Sequence, residues 1–231
     1  MSTFRATHIV SLGGNCRVTY NLRKHFNFGS AYPFDWWICP LKSATSFLSN
    51  PNLDVLYDPL LLAPVMQGDR IFSIENSHFG IRLHHEFPRK QGTIISEFRE
   101  HVGAPRQRLT YLFNKFLKLN TSDNQILFVR NFINWDRDVN SLDVIEFMET
   151  VRKSVNAAST EFLFINPPRG VDIAGVRTLR FSDPPPDPWQ GDQAVWSENL
   201  SKVDVDFVNL EGSRFVETGP EMEKKEMLSG S

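Results

Sequence analysis

The sequence predicts an α/β fold: a single domain with a mainly parallel sheet, helices on both faces and one β-hairpin. Three observations point there. The apolar run 8–12 stops at Gly13-Gly14 and gives way to a helical pattern. A second apolar run, 125–130, is followed by a helical pattern and then by a third run, 161–165. Strands apolar throughout and joined by a helix suit a parallel sheet, whose strands are covered on both sides. The third observation is the pair of runs 71–74 and 81–85 around a turn at 75–80, the pattern of a hairpin.

In chain order, the first run reads as a buried strand. Gly13 and Gly14 permit backbone angles that a Cβ resists. Asn15 suits the N-cap, where a side-chain oxygen accepts a bond from an orphan N–H. Val18, Leu22 and Phe26 then step by four along one helix face. Residues 43–49 read as a short helix, and 53–69, with Pro59 and Pro64, as a surface connection. Residues 107–119 carry the clearest apolar stripe: Leu109, Leu112, Phe113, Phe116 and Leu117. Ser141 is placed to cap a helix bearing Leu142, Ile145, Met148, Val151 and Val155. Residues 176–181 add a further strand, 183–188 a stiff proline-rich segment, and 189–200 a helix. The domain is expected to span 1–218. The charged tail 219–231 has few apolar residues and is expected to be disordered.

Composition narrows the function classes. The chain has 231 residues, 41% of them hydrophobic, enough for one large core. A net charge of −2 gives no basic footprint for nucleic acid or an anionic membrane. No run is long enough to span a bilayer. The N-terminus lacks the apolar core of a secretory signal, so a cytoplasmic location is expected. Cys16 and Cys39 make no disulfide framework and are expected to be reduced. No Cys/His spacing suggests zinc, and no cofactor or metal is expected.

Two residues have spacing that suggests chemistry. Cys16 falls in the first turn of the predicted helix, where the helix end favours an anion and lowers a thiol pKa. The alternative is a cysteine that only packs, as most free cysteines do. His85 shares a strand face with Ile81 and Leu83, whereas His84 shares one with Arg82 and Glu86. His85 is either a catalytic base in a semi-buried cleft or a satisfied core histidine. Asp35 stands among Phe34, Trp36 and Trp37. Such a carboxylate either caps a turn or orients an imidazole. Cys39, before Pro40, reads as packing.

Three pieces carry a resemblance: Ser11-Leu12-Gly13-Gly14-Asn15-Cys16 with Asn21-Leu22-Arg23, Tyr32-Pro33-Phe34-Asp35-Trp36, and His85-Glu86-Phe87. Together they resemble the mainly bacterial family labelled “putative papain-like cysteine peptidase”, over roughly residues 7 to 200. The segments at Leu127-Phe128-Val129-Arg130 and from Asp192 to Trp196 are similar to it as well. The resemblance implies Cys16 as nucleophile and His85 as base, in the chain order of papain-like enzymes. Those enzymes carry an oxyanion-hole glutamine several residues before the cysteine, and this chain has none there. Gly13, Gly14 and Asn15, or the N–H groups at the helix start, are expected to take that role.

The expected function is therefore a cysteine-dependent hydrolase of peptidase, amidase or acyl-transfer type, acting on a peptide, amide or ester. Asp35, or else Asn131 or Asp192, is expected at the second ring nitrogen of His85. Arg17, Trp36, Arg130, Asn131 and Asp192 are candidate ligand contacts. The rival is a non-catalytic module that holds a phosphorylated or glycan ligand at the Gly13-Gly14 turn. There backbone N–H groups bind the anion and Arg17, Arg130 and Arg169 add charge. The turn matches neither G-x-G-x-x-G nor G-K-[ST].

Overall fold

The computed structural model describes residues 3–121, 123–157, 159–182 and 190–217. The strands are β1 (Phe4–Ala6), β2 (His8–Ser11), β3 (Trp37–Ile38), β4 (Leu62–Gln67), β5 (Arg70–Asn76), β6 (Ile81–Leu83), β7 (Arg89–Lys90), β8 (Thr93–Ile94), β9 (Gln125–Asn131), β10 (Ser159–Ile165), β11 (Arg177–Leu179) and β12 (Val205–Phe207). The helices are α1 (Cys16–Phe26), α2 (Leu41–Ser49), α3 (Leu53–Leu56), α4 (Gly103–Leu117), α5 (Ser141–Val155) and α6 (Gln193–Leu200).

The apolar runs become one four-stranded sheet in the order β11-β10-β9-β2, parallel at every pairing. Alternate residues of each strand enter different cores. Val10, Ile126, Phe128, Phe162 and Phe164 join Phe113 and Phe116 of α4 and Phe147 of α5. Ile9, Leu127, Val129, Leu163 and Ile165 join Val18 and Leu22 of α1 and Trp196 and Leu200 of α6. A second sheet, β3-β6-β5-β4, is antiparallel. It contains the expected hairpin, β5 and β6. β1 and β12 form a parallel pair, and β7 and β8 an antiparallel one.

Several boundaries differ from the sequence reading. Residues 53–69 hold α3 and β4 rather than a plain connection. Pro64 is tolerated because β4 is an edge strand, where a missing N–H costs the ladder little. α2 begins at Leu41, whose N–H donates to Asp136 Oδ1 at 2.7 Å; a carboxylate from a remote loop substitutes for a local cap. Asn140, not Ser141, caps α5, accepting from Leu142 and Asp143 N–H. The return strand ends at Leu83, so His84 and His85 follow it in a bend. α4 starts four residues before the expected helix, with Pro105 in its first turn where a missing donor is harmless. The expected stretch 183–188 and tail 219–231 lie outside the described residues.

Candidate active site

Where β2 ends, the chain turns through Gly13 (φ +81°) and Gly14 (φ +96°). A Cβ on Gly14 would stand 2.0 Å from the Asn131 carbonyl oxygen, so glycine is required there. Three backbone donors pin the turn. Gly13 N–H donates to Ser11 Oγ at 3.2 Å. Asn131 N–H donates to Gly13 O at 3.2 Å, and Cys39 N–H to Gly14 O at 3.1 Å. Asn15 takes the N-cap position with extended backbone, φ −154°, yet its side chain makes no capping bond. The expected cap geometry is thus only half realised.

Cys16 opens α1 and is half-buried. The expected fall in its pKa is reversed. Burial pushes the thiol up to about 11, although the N–H groups of Cys16 and Arg17 and the Arg17 charge pull the other way. Removal from water outweighs the helix end.

Cys16, Thr19 and Arg23 are spaced i, i+3, i+7 and share one face of α1. Thr19 Oγ1 donates to Asp35 Oδ1 at 3.3 Å. The Arg23 guanidinium donates to Asp35 Oδ2 at 2.5 Å, and Tyr32 N–H donates to the same oxygen at 2.8 Å. Arg23 and Asp35 are 3% and 1% exposed, an ion pair inside the protein. The face that carries Cys16 is therefore the one turned towards residues 32–36.

Trp36 extends this contact to His85. The Arg23 guanidinium lies 5.8 Å from the Trp36 ring centre, and the His85 ring meets Trp36 edge-on at 5.5 Å. The pairing of Trp37 with Leu83 sets this approach, because it runs the chain before β3 past the chain after β6. The His84 ring meets the His85 ring edge-on at 4.5 Å. It also lies tilted against Phe72 at 4.3 Å, and Arg89 donates to the His84 carbonyl at 2.7 Å. Burial first, and the Arg89 charge second, push His84 down to about 4.

The structure thus joins Asp35 to Thr19 and Arg23 of α1 and Trp36 to His85, and closes Asn131 against the Gly13-Gly14 turn that leads to Cys16. These three Asp35 bonds go to α1 and Tyr32 rather than to the expected His85 imidazole. Other candidates are engaged elsewhere. Arg130 is fully buried and donates to Leu12 O at 2.9 Å, Cys39 O at 2.6 Å and Asp136 at 3.2 Å. It braces the underside of the turn. Asp192 caps α6 through Ala194 and Val195 N–H. Arg17 lies around the helix from Cys16, beside Asn21, whose amide donates to Arg17 O and Gln190 O. Cys39 is buried, with its thiol raised to about 12 by burial. Among the described residues no group of three His, Cys, Asp or Glu side chains is placed to hold a metal ion. The sequence reading missed Thr19 and Arg23 as partners of Asp35. Their helical spacing from Cys16 was the available signal.

A family model described as “putative papain-like cysteine peptidase” matches residues 7–169. No curated protein and no solved structure matches the chain. Among the described residues no helix is long and apolar enough to cross a membrane.

Proposed function

The chain belongs to the family described as “putative papain-like cysteine peptidase”, and from that premise we propose a cysteine-dependent hydrolase or acyl transferase acting on a peptide, amide or ester. The observation that supports it best is the shared face of α1. Cys16 lies on the same side as Thr19 and Arg23, which hold Asp35, and His85 leans on the neighbouring Trp36.

Cys16 Sγ attacks the acyl carbon while His85 takes the thiol proton and returns it to the leaving group. A thiol near 11 is neutral at rest, so His85 works as a general base during attack rather than as the partner of a standing thiolate. N–H groups at the start of α1 and at the Gly14-Asn15 turn face the developing oxyanion. Asp35 is a positioning residue: it ties α1 to the segment whose Trp36 supports the imidazole. The papain-like label suits the order of Cys and His, whereas the sheet beneath this site is parallel. The anion-binding alternative loses two parts, since Gly13 N–H is bonded to Ser11 and Arg130 is committed to the interior.

The test is hydrolysis of a fluorogenic peptide library by four proteins. Cys16→Ser and His85→Ala are expected to lose at least about a hundredfold in rate and to melt like the wild type, with His84→Ala near wild-type activity. A packing cysteine would behave oppositely, because a buried serine hydroxyl without a partner costs roughly 1–3 kcal/mol. An active Cys16→Ser protein would end the cysteine reading.

A further inference from the structure

In the bend after β6, the residues on both sides of His85 are held by arginines. On one side, Arg89 of β7 donates to His84 O at 2.7 Å, and the same guanidinium donates to Phe72 O and Gly92 O. These bonds join residues 72–92 to one another. On the other side, Glu86 is buried and its carboxylate is paired with Arg108 of α4. Phe87 then enters the core, edge-on to Phe98 at 5.7 Å. The Arg108 pair reaches further than the Arg89 bonds. Phe116 of α4 meets Phe128 of β9 at 6.4 Å, and Asn131 N–H at the end of β9 donates to Gly13 O in the turn before Cys16. Glu86 thus joins the His85 segment to the layer that carries the Cys16 turn.

We propose that Glu86 and Arg108 are positioning residues, whose ion pair fixes the bend that presents the His85 imidazole. This rests on the reading of His85 as the base and deepens it by naming what holds that base in place. A buried ion pair adds little stability over an apolar pair of similar size, because both charges give up their water. What it adds is direction. The Glu86 carboxylate has to meet α4 at one point, and His85 is the next residue along the chain, so fixing one fixes the backbone of the other. A reacting group displaced by a single ångström can cost about a hundredfold in rate.

The test separates position from stability in the full chain. The double variant Glu86→Leu/Arg108→Met replaces the ion pair by an apolar pair, and Arg108→Lys keeps the charge. Each protein is measured for melting temperature, for kcat and KM on the fluorogenic peptide that the wild type cleaves fastest, and for the nuclear Overhauser effect between the His85 ring and the Trp36 indole. The double variant is expected to melt like the wild type, yet to lose at least about tenfold in kcat at unchanged KM, together with most of the Overhauser effect. Arg108→Lys is expected to keep both, because an ammonium can still meet the Glu86 carboxylate. A wild-type Overhauser effect in the double variant overturns the proposal, whatever its melting temperature, since the pair would then hold the fold and not the imidazole. A loss in Arg108→Lys equal to that in the double variant overturns it as well. Should the double variant not fold, Arg108→Gln takes its place and is read in the same way. The Overhauser effect needs no turnover. If no peptide is cleaved, or if Cys16→Ser still cleaves it, the cysteine reading falls, and the Overhauser effect still decides whether the ion pair holds His85.

Discussion

Residues Ile126 to Asn131 of β9 are all buried, and β2 and β10 flank the strand on either side. β4, at the rim of the antiparallel sheet, buries Leu62 and leaves Met66 53% exposed. The two sheets carry the two halves of the proposed site. The turn with Cys16 hangs from the parallel sheet and is held by backbone bonds to Asn131 and Cys39. His85 hangs from a bend after β6 and is held by the Trp36 ring. The segment just past β3 meets the turn where Cys39 N–H donates to Gly14 O. On the proposed reading, the nucleophile is fixed by the core and the base sits in a bend after an antiparallel strand.

The largest test of that contrast is Gly14→Ala. Its Cβ has no room against the Asn131 carbonyl, and the expected loss in urea unfolding is roughly 4 kcal/mol or more, or no folded protein. Near wild-type stability would show that the parallel side yields easily. Next comes Asp35→Ala, which leaves Arg23 charged and buried, at a cost of about 3–5 kcal/mol. A third test uses acid. Folding holds His84 near 4, below its ordinary 6.5, so the unfolded chain takes up a proton that the folded chain refuses. That stability is complete above pH 6.5 and drains away as pH falls towards 4. His8 and His25, also lowered by burial, act with the same sign. Melting temperature is expected to fall between pH 7.5 and 5, and His84→Gln to shrink the fall; an unchanged fall would mean other groups govern it. The smallest effect belongs to Glu75→Gln, which breaks the half-exposed pair with Arg82 for under about 1 kcal/mol. A cost equal to that of Asp35→Ala would erase the distinction between the two sides.

The parallel sheet was legible because β2, β9 and β10 each hold an unbroken apolar run at their centre or end: Ile9-Val10, Ile126-Leu127-Phe128-Val129 and Phe162-Leu163-Phe164-Ile165. β4 was not, since Pro59 and Pro64 mask an edge strand as a loop. The start of α2 was hidden for another reason: its capping carboxylate, Asp136, lies 95 positions away. In the site, the turn glycines and the placing of Cys16 at a helix start were readable from local pattern. The Cys16 pKa was not, because the helix end is local while burial depends on what folds over it. Asp35 was singled out for its aromatic neighbours, yet its bonds to Thr19 and Arg23 needed the docking of α1 to appear. The strand register that separated His84 from His85 ended two residues too late: in the bend the two rings meet edge-on, while His84 also reaches Phe72 and His85 also reaches Trp36.

The pairing of β1 with β12 bears on how the chain assembles. Phe4 lies opposite Val205, so the first strand waits for the last described one. β2, β9 and β10 can join as soon as residue 165 is available. β1 cannot, and closing so long a loop adds entropy cost and delay. At a synthesis rate of about 5–20 residues per second, the interval between those two events is a few seconds. Throughout it Phe4 and Ala6 have no strand partner, and the turn carrying Cys16 is built before β12 exists.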